Sequence, residues 1–325
     1  MAAVLRRLIG RRQWRSLVLG APMGIGALGV GFAAQGLMPS GSSGLSGPLL
    51  EAMLQPPPQH QAPRANARDD LQGLAAERNA ERGLQEPARG VVPELDIRVA
   101  IAQQAAQVEL SATGPWWLRL RDGRVLRRGQ AGERLNIAQN DDLPSEVWLE
   151  TTADQAVQCN GRRYAGRLRI LNPGDGLLVV NHLPLERYVA SVVGAEMPSS
   201  WNLEALKAQA IAARSYALAH MARPASPHWH LGDSTRWQAY GGLDSVTSRT
   251  EQAAADTVGL ILSYQGGIVE SLYAANSQIS WEAHGQLGAS MSQEGAQALA
   301  SRGLRFGEIL GHYYRGAALA RLRQG

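Results

Sequence analysis

The chain predicts an α+β fold, a β-rich stretch over residues 93–182 followed by a helical and hairpin core over 183–318. Three observations carry that reading. Apolar residues alternate at period two from Val91 onward, the spacing turns helical after Pro184, and Gly, Asn, Asp and Pro punctuate the first half at short intervals. A hydrophobic run and a polar stretch come before both, so the expected order is a signal peptide or signal anchor over 1–38, a flexible linker over 39–92, and then the folded part.

The N-terminal element rests on charge and length. Arg6, Arg7, Arg11, Arg12 and Arg15 precede Leu17–Met38, which carries no charge and is about long enough to cross a bilayer core. Basic residues before an apolar run hold the N-terminus in the cytoplasm and send the downstream chain across the membrane. Six glycines in the run argue against a buried soluble helix. Ala33 and Ala34 offer small residues for cleavage, while the length of the run suits a retained anchor, and both outcomes stay open. The expected location is the periplasm or cell wall, with residues 17–38 as the membrane attachment if they are retained. Pro39 to Pro93 is rich in Ser, Gly, Pro and Gln, a composition that buries too little apolar surface to offset its ordering entropy.

Composition excludes several function classes. At 325 residues and 45% hydrophobic the chain has material for a real core, and its single cysteine, Cys159, rules out an internal disulfide or a Cys-based zinc cluster. The net charge of +4 is concentrated in the N-terminal arginines. A nucleic-acid protein would carry a basic face on its folded part, so no nucleic-acid partner is expected.

Within the folded part, Asp96–Ala102, Trp116–Leu120, Val147–Thr151 and Arg167–Ile170 read as strands, and Leu177–Val180 closes a hairpin with Leu168–Leu171. Leu185, Val189 and Val192 then lie at i, i+4 and i+7, and the next place on that stripe is Glu196. A carboxyl there stands at a helix C-terminus, before Met197 and Pro198, where both burial and the helix dipole favour its protonated form. Spacing alone leaves two readings: a desolvated general acid, or a fraying-end residue in solvent. Asn202 caps a second helix to about Met221, with alanines on its packed face and Lys207, Gln209 and Arg214 around it. The stretch His228–Gly241 is polar and dense in aromatic groups. Trp229, Trp237 and Tyr240 there suit either a sugar-stacking platform or a closure over the core. Gly259–Tyr264 and Ile268–Ala274 read as a hairpin, and Ser290–Ala300 and Phe306–Tyr314 as closing helices.

Several of these segments form an ordered series. Leu183-Pro184-Leu185-Glu186-Arg187-Tyr188, Gly194-Ala195-Glu196-Met197-Pro198, Glu204 through Tyr216, Asp233-Ser234-Thr235, Gln238-Ala239-Tyr240-Gly241 and Met291-Ser292-Gln293 together resemble the sporulation stage II protein D family, which includes the LytB amidase enhancers. The resemblance implies work on peptidoglycan outside the cytoplasmic membrane. Relatives similar to the sporulation protein are lytic transglycosylases that cut glycan strands stripped of stem peptides, with the glutamate of Glu-Met-Pro as catalytic acid. Here that residue is Glu196. Such an enzyme needs one acid/base group, because the sugar's own C6 hydroxyl attacks, whereas hydrolases pair two carboxyls. The substrate-binding set implied is Lys207, Gln209, Arg214, Asp233, Ser234, Thr235, Gln238, Tyr240, Ser292 and Gln293, some of which would instead hold Glu196 in place. Lys207 is the only lysine in the chain and is expected beside the glycan cleft.

The chain departs from the family pattern after Asn276, where it runs almost directly into His284-Gly285, which shortens one wall of the expected cleft. Some relatives hold zinc with Cys and His; His228 and His230 stand here without the cysteines, so neither metal nor cofactor is expected. The alternative to the enzyme is a non-catalytic glycan-binding protein that stimulates an N-acetylmuramoyl-L-alanine amidase, which would then be its partner.

Overall fold

The computed structural model describes residues 83–276 and 290–324. The anchor and most of the linker inferred from the sequence lie outside the described residues, as do His284 and Gly285. Among the described residues no helix is long and apolar enough to cross a membrane.

The fold is α+β. Its largest element is a seven-stranded sheet built from β1 (Asp96–Ala105), β3 (Trp116–Arg119), β4 (Val125–Gly129), β6 (Glu146–Thr151), β9 (Arg167–Leu171), β10 (Leu177–Pro184) and the two-residue β11 (Leu231–Gly232), in the order β11-β1-β10-β9-β6-β3-β4. The period-two alternation holds in this sheet. Ile97, Val99, Leu149, Leu168, Ile170 and Val179 are buried, and the residues between them, such as Arg98, Arg169 and Trp148, look outward. A four-stranded sheet of β2 (Gln107–Ala112), β5 (Leu135–Ala138), β7 (Val157–Cys159) and β8 (Arg162–Tyr164) completes the first half. Cys159 is buried there as a small apolar group, and burial pushes its thiol up to about 12.

The expected helices form. Strand β10 feeds directly into α1 (Leu185–Glu196), which Met197 ends by turning extended. Helix α2 (Leu203–Ala222) opens where Asn202 accepts from the Glu204 N–H, as its capping side chain implies. A short 3-10 turn (Gly242–Ser245) and α3 (Ser248–Asp256) follow. A three-stranded sheet combines β12 (Leu260–Tyr264), β13 (Gly267–Ile268) and β16 (Ala318–Arg321). The chain closes with α4 (Gln293–Ser301) and α5 (Phe306–Tyr313).

Two boundaries correct the sequence reading. The second arm of the 259–274 hairpin breaks after Ile268, and its outer part, β14 (Leu272–Ala274), pairs in parallel with β15 (Ser290–Ser292). Ser290–Ser292 is therefore strand rather than helix, and α4 begins three residues late with Ser292 as its cap. Residues of the β-rich and helical halves share one hydrophobic cluster, from Trp116 and Leu149 to Leu206, Ile211 and Ile309.

Candidate active site around Glu196

Glu196 closes α1, with no basic side chain in the last turn to offset the helix dipole. Its carboxyl is held from two directions. The backbone N–H of Ala239 donates to Oε1 at 2.7 Å, and the side-chain amide of Gln293, at the start of α4, donates to Oε2 at 3.1 Å. Burial raises its pKa, opposed in part by these two donors. Glu196 makes no ion pair among the described residues, whereas Glu186, Glu204 and Glu270 are each matched to a cation. The result is a desolvated carboxyl steered by neutral donors, which favours the fraying-end reading least.

Gln238 explains why Ala239 sits where it does. Its side chain is fully buried, accepts from Tyr188 Oη at 2.9 Å, and donates to the Ala213 carbonyl at 3.2 Å and to Tyr273 Oη at 2.7 Å. One amide thus ties the 233–241 loop to α1, α2 and β14. Burial raises the hydroxyls of Tyr188 and Tyr273 well above the usual phenol range, with the Glu196 charge adding to it, so both stay neutral beside the carboxyl. Tyr240 is buried too. It donates to Asn181 Oδ1 at 2.6 Å and packs against Tyr164 and Tyr188 at ring distances of 5.9 and 5.2 Å.

These placements redistribute the expected site residues. Gln209, Arg214, Gln238 and Tyr240 are interior side chains with no surface to offer a glycan, and Gln238 fits the second expectation, that of holding Glu196 in place. Arg214 is fully buried and forks onto Glu186 through Nε at 2.9 Å and Nη2 at 2.6 Å, with the Leu260 carbonyl at 3.0 Å from Nη1. Lys207 is corrected as well. Its ammonium bridges Glu204 at 3.1 Å and Asp256 at 3.0 Å, joining α2 to α3, and the two carboxylates raise its pKa against the cost of burial. The lone lysine is a clamp between helices. Ser292 caps α4 by accepting from the Gly295 N–H at 3.0 Å, and only its neighbour Gln293 reaches Glu196.

Asp233, Ser234 and Thr235 remain at the surface, on the loop that delivers Ala239. Burial raises the Asp233 carboxyl, and Arg162 stands 3.7 Å from it. Trp229 and Trp237 meet edge to face at 5.8 Å and stay half-exposed, so the aromatic platform reduces to these two once Tyr240 turns inward. Trp237 also meets His220 edge on at 5.1 Å, and His220 reaches Glu270 at 3.3 Å. Sequence reasoning did not single out Tyr188 and Tyr273 as parts of the site. Tyr188 stood inside a quoted motif, but its bond to Gln238 spans 50 residues and no local spacing encodes it. His230 turns both ring nitrogens toward Arg98, at 3.1 Å from its backbone N and 3.0 Å from Nε.

A family comparison falls on the same segment. The sequence model of the family described as Stage II sporulation protein matches residues 174–264, which contain α1, Glu196, α2 and the 233–241 loop. An uncharacterised protein of Brachyspira hyodysenteriae is 37% identical over 143 residues, 44% of this chain and 39% of that protein. The amidase enhancer of Bacillus subtilis is 38% identical over 86 residues, 26% of this chain and 11% of that protein. Stage II sporulation protein D of the same organism is 33% identical over 113 residues, 30% of this chain and 33% of that protein. The chain thus spans about two fifths or less of the length of these relatives. The residues that the family model matches, 174–264, coincide with the elements that build the Glu196 site, and over that segment the chain is similar to the SpoIID/LytB family.

Proposed function

We propose that the protein acts outside the cytoplasmic membrane as a lytic transglycosylase on peptidoglycan glycan strands, with Glu196 as its single acid/base group. One observation carries this reading: Glu196 is a partly buried carboxyl with raised pKa, held by two neutral donors and by no cation among the described residues. A protonated carboxyl of this kind donates to the glycosidic oxygen as the bond to C1 breaks, and its conjugate base then takes the proton of the attacking C6 hydroxyl. The fixed Ala239 N–H and Gln293 amide steady the carboxylate between the two transfers. The sugar would meet the exposed Ser234 and Thr235 and the half-exposed Asp233, Trp229 and Trp237, all on the 228–241 stretch that carries Ala239.

The test is product analysis. The protein should release 1,6-anhydro sugars from strands stripped of stem peptides, and Glu196→Gln should lower that release at least about a hundredfold while leaving the melting temperature near wild type. Equal release by the variant, or none by the wild type, would remove the enzyme reading.

The identity with the amidase enhancer over 86 residues favours a second reading, in which the Glu196 site binds glycan without cutting it and the protein stimulates a cell-wall amidase. Sacculus binding that survives Glu196→Gln, together with raised amidase activity and no anhydro product, would select it.

A further inference from the structure

The outward face of the seven-stranded sheet is unlike an ordinary solvated face. Across it the strand register sets Arg98 opposite His182, His182 opposite Arg167, and Trp117 opposite Glu150, with Arg169 opposite Trp148 and Trp148 opposite Arg119 in the next row. Arginine and aromatic side chains are interleaved. The Arg167 guanidinium lies 4.5 Å from the Trp148 ring centre, and His182 meets the same ring edge on at 4.7 Å. Two clefts open on this face, of about 320 and 480 Å³, and they share Glu150 and Arg167.

The larger cleft is cationic. Arg119, Arg121 and Arg167 line it together with Trp148, against the single carboxylate of Glu150. Glu150 is already divided between Arg119 and Arg167, each at 3.2 Å, and Arg121 is exposed and has no ion pair among the described residues. The face also leaves polar atoms unserved. His182 Nε2 and Arg169 Nε are buried without a hydrogen-bond partner among the described residues, a cost that folded proteins seldom carry without a use for it. None of these residues belongs to the Glu196 site.

We propose that this sheet face, centred on the Arg119, Arg121 and Arg167 cleft beside Trp148, is a second binding site for a carboxylate-bearing stretch of glycan strand. Guanidinium groups match planar carboxylates with charge-assisted hydrogen bonds, and Glu150, with one oxygen 3.2 Å from Arg119 and the other 3.2 Å from Arg167, shows that a carboxylate is accommodated between them. Trp117 and Trp148 supply flat apolar surface for sugar rings. A strand stripped of its stem peptides carries a free lactyl carboxylate on each muramic sugar, which gives the charge and the repeat this face requires. The identity of the glycan rests on the proposed function; the anion-binding character of the face does not. Such a site would hold a long strand while another part of it reaches Glu196, without taking part in the chemistry.

The experiment measures binding of the full chain to solubilised stripped strands in a Glu196→Gln background, which keeps the strands intact. Arg121→Glu should weaken binding about tenfold, as expected for losing one charge-assisted contact. Arg121→Lys should restore most of it. Amidation of the strand carboxylates should weaken the parent protein to the level of Arg121→Glu and remove the difference between them. With Glu196 intact, Arg121→Glu should cut a short glycan fragment at the parent rate. Unchanged strand binding by Arg121→Glu, or indifference to amidation, would overturn the proposal. So would an Arg121 dependence seen with phosphatidylglycerol vesicles and not with strands, which would assign the face to membrane phosphate. If no variant or wild type cleaves glycan and strand binding still requires Arg121 and free carboxylates, the enzyme reading falls and the second site stands.

Discussion

At Glu196 three influences compete, and their signs predict behaviour. Burial raises the carboxyl pKa, while the Ala239 N–H and the Gln293 amide lower it by stabilising the charged form. General acid catalysis needs the proton, so activity should fall as pH rises through this raised pKa and the carboxyl loses it. Gln293→Leu removes one of the two donors to the carboxylate. The pKa then rises further, and the alkaline limb of the pH–rate profile should move to higher pH, read from initial rates of anhydro-sugar release. A limb that stays in place would mean that Gln293 does not act on the carboxyl during catalysis. Gln238→Leu tests the other donor indirectly, by freeing the loop that presents Ala239. It should lower the rate without moving the limb in the same way, because it disturbs position before it disturbs charge. Both polar atoms of the fully buried Gln209 side chain are without a hydrogen-bond partner among the described residues.

At the scale of elements, α2 is the axle of the helical half. Its alanines let α1, α3, α4 and α5 approach closely, and its few polar residues face specific partners. Arg214 shows what those partners do. Fully buried, it ties α2 to Glu186 on α1 and to carbonyls at the end of α3 and the start of β12. Arg214→Ala would leave Glu186 without its guanidinium and remove a donor from the Leu260 and Ala254 carbonyls. A loss of about 3–5 kcal/mol is expected, measured as a lower denaturant midpoint at unchanged slope. Gly194 sets a second constraint, because a methyl there would run into the Ser245 carbonyl oxygen where α1 meets the 3-10 turn. Elements of this size were legible in the sequence. The alternation over residues 96–184 and the stripe of Leu185, Val189 and Val192 report burial directly, and Asn202 announces its helix. Short strands were not legible: β7, β8 and β15 span three residues each, too few to display a period. Ser290–Ser292 was absorbed into a helix because its strand character comes from pairing with Leu272–Ala274. The candidate site divides in the same way. Spacing and helix end marked Glu196 but left its role open between two readings, whereas the inward turn of Tyr240, the clamp at Lys207 and the amide web of Gln238 depend on partners tens of residues away.

For the whole molecule, two histidines on the sheet make stability depend on pH. Burial first, and then neighbouring arginines, push His182 and His230 down to about 3. His230 shows the cause in its geometry, since Arg98 presents a donor to each ring nitrogen, and a neutral imidazole accepts at one of them while a protonated ring accepts at neither. In the unfolded chain these rings bind protons below about pH 6.5. Between that value and about 3, unfolding takes up two protons that the fold refuses, so stability drops as pH falls through this window and gains nothing from these groups above it. The slope approaches at most about 1.4 kcal/mol per pH unit for each histidine. Glu146 and Glu270, whose partners hold them below the usual carboxylate range, add to the loss at the acid end of the window. Glu196 and Asp233, raised by burial, act in the opposite sense and soften it. The histidine contribution dominates near pH 5.5, where ordinary carboxylates are still ionised in both states. The melting temperature should therefore fall between pH 7 and pH 5 and stay nearly level between pH 7 and pH 8. His230→Gln, which keeps an acceptor for Arg98 and removes the titration, should flatten about half of that acid slope whatever it does to stability at neutral pH. Melting temperatures equal at pH 5 and pH 7 in the wild type would refute the account. Because Glu196 needs its proton and the sheet needs neutral histidines, the two demands together confine activity to a band whose acid edge is set by the fold and whose alkaline edge is set by the site.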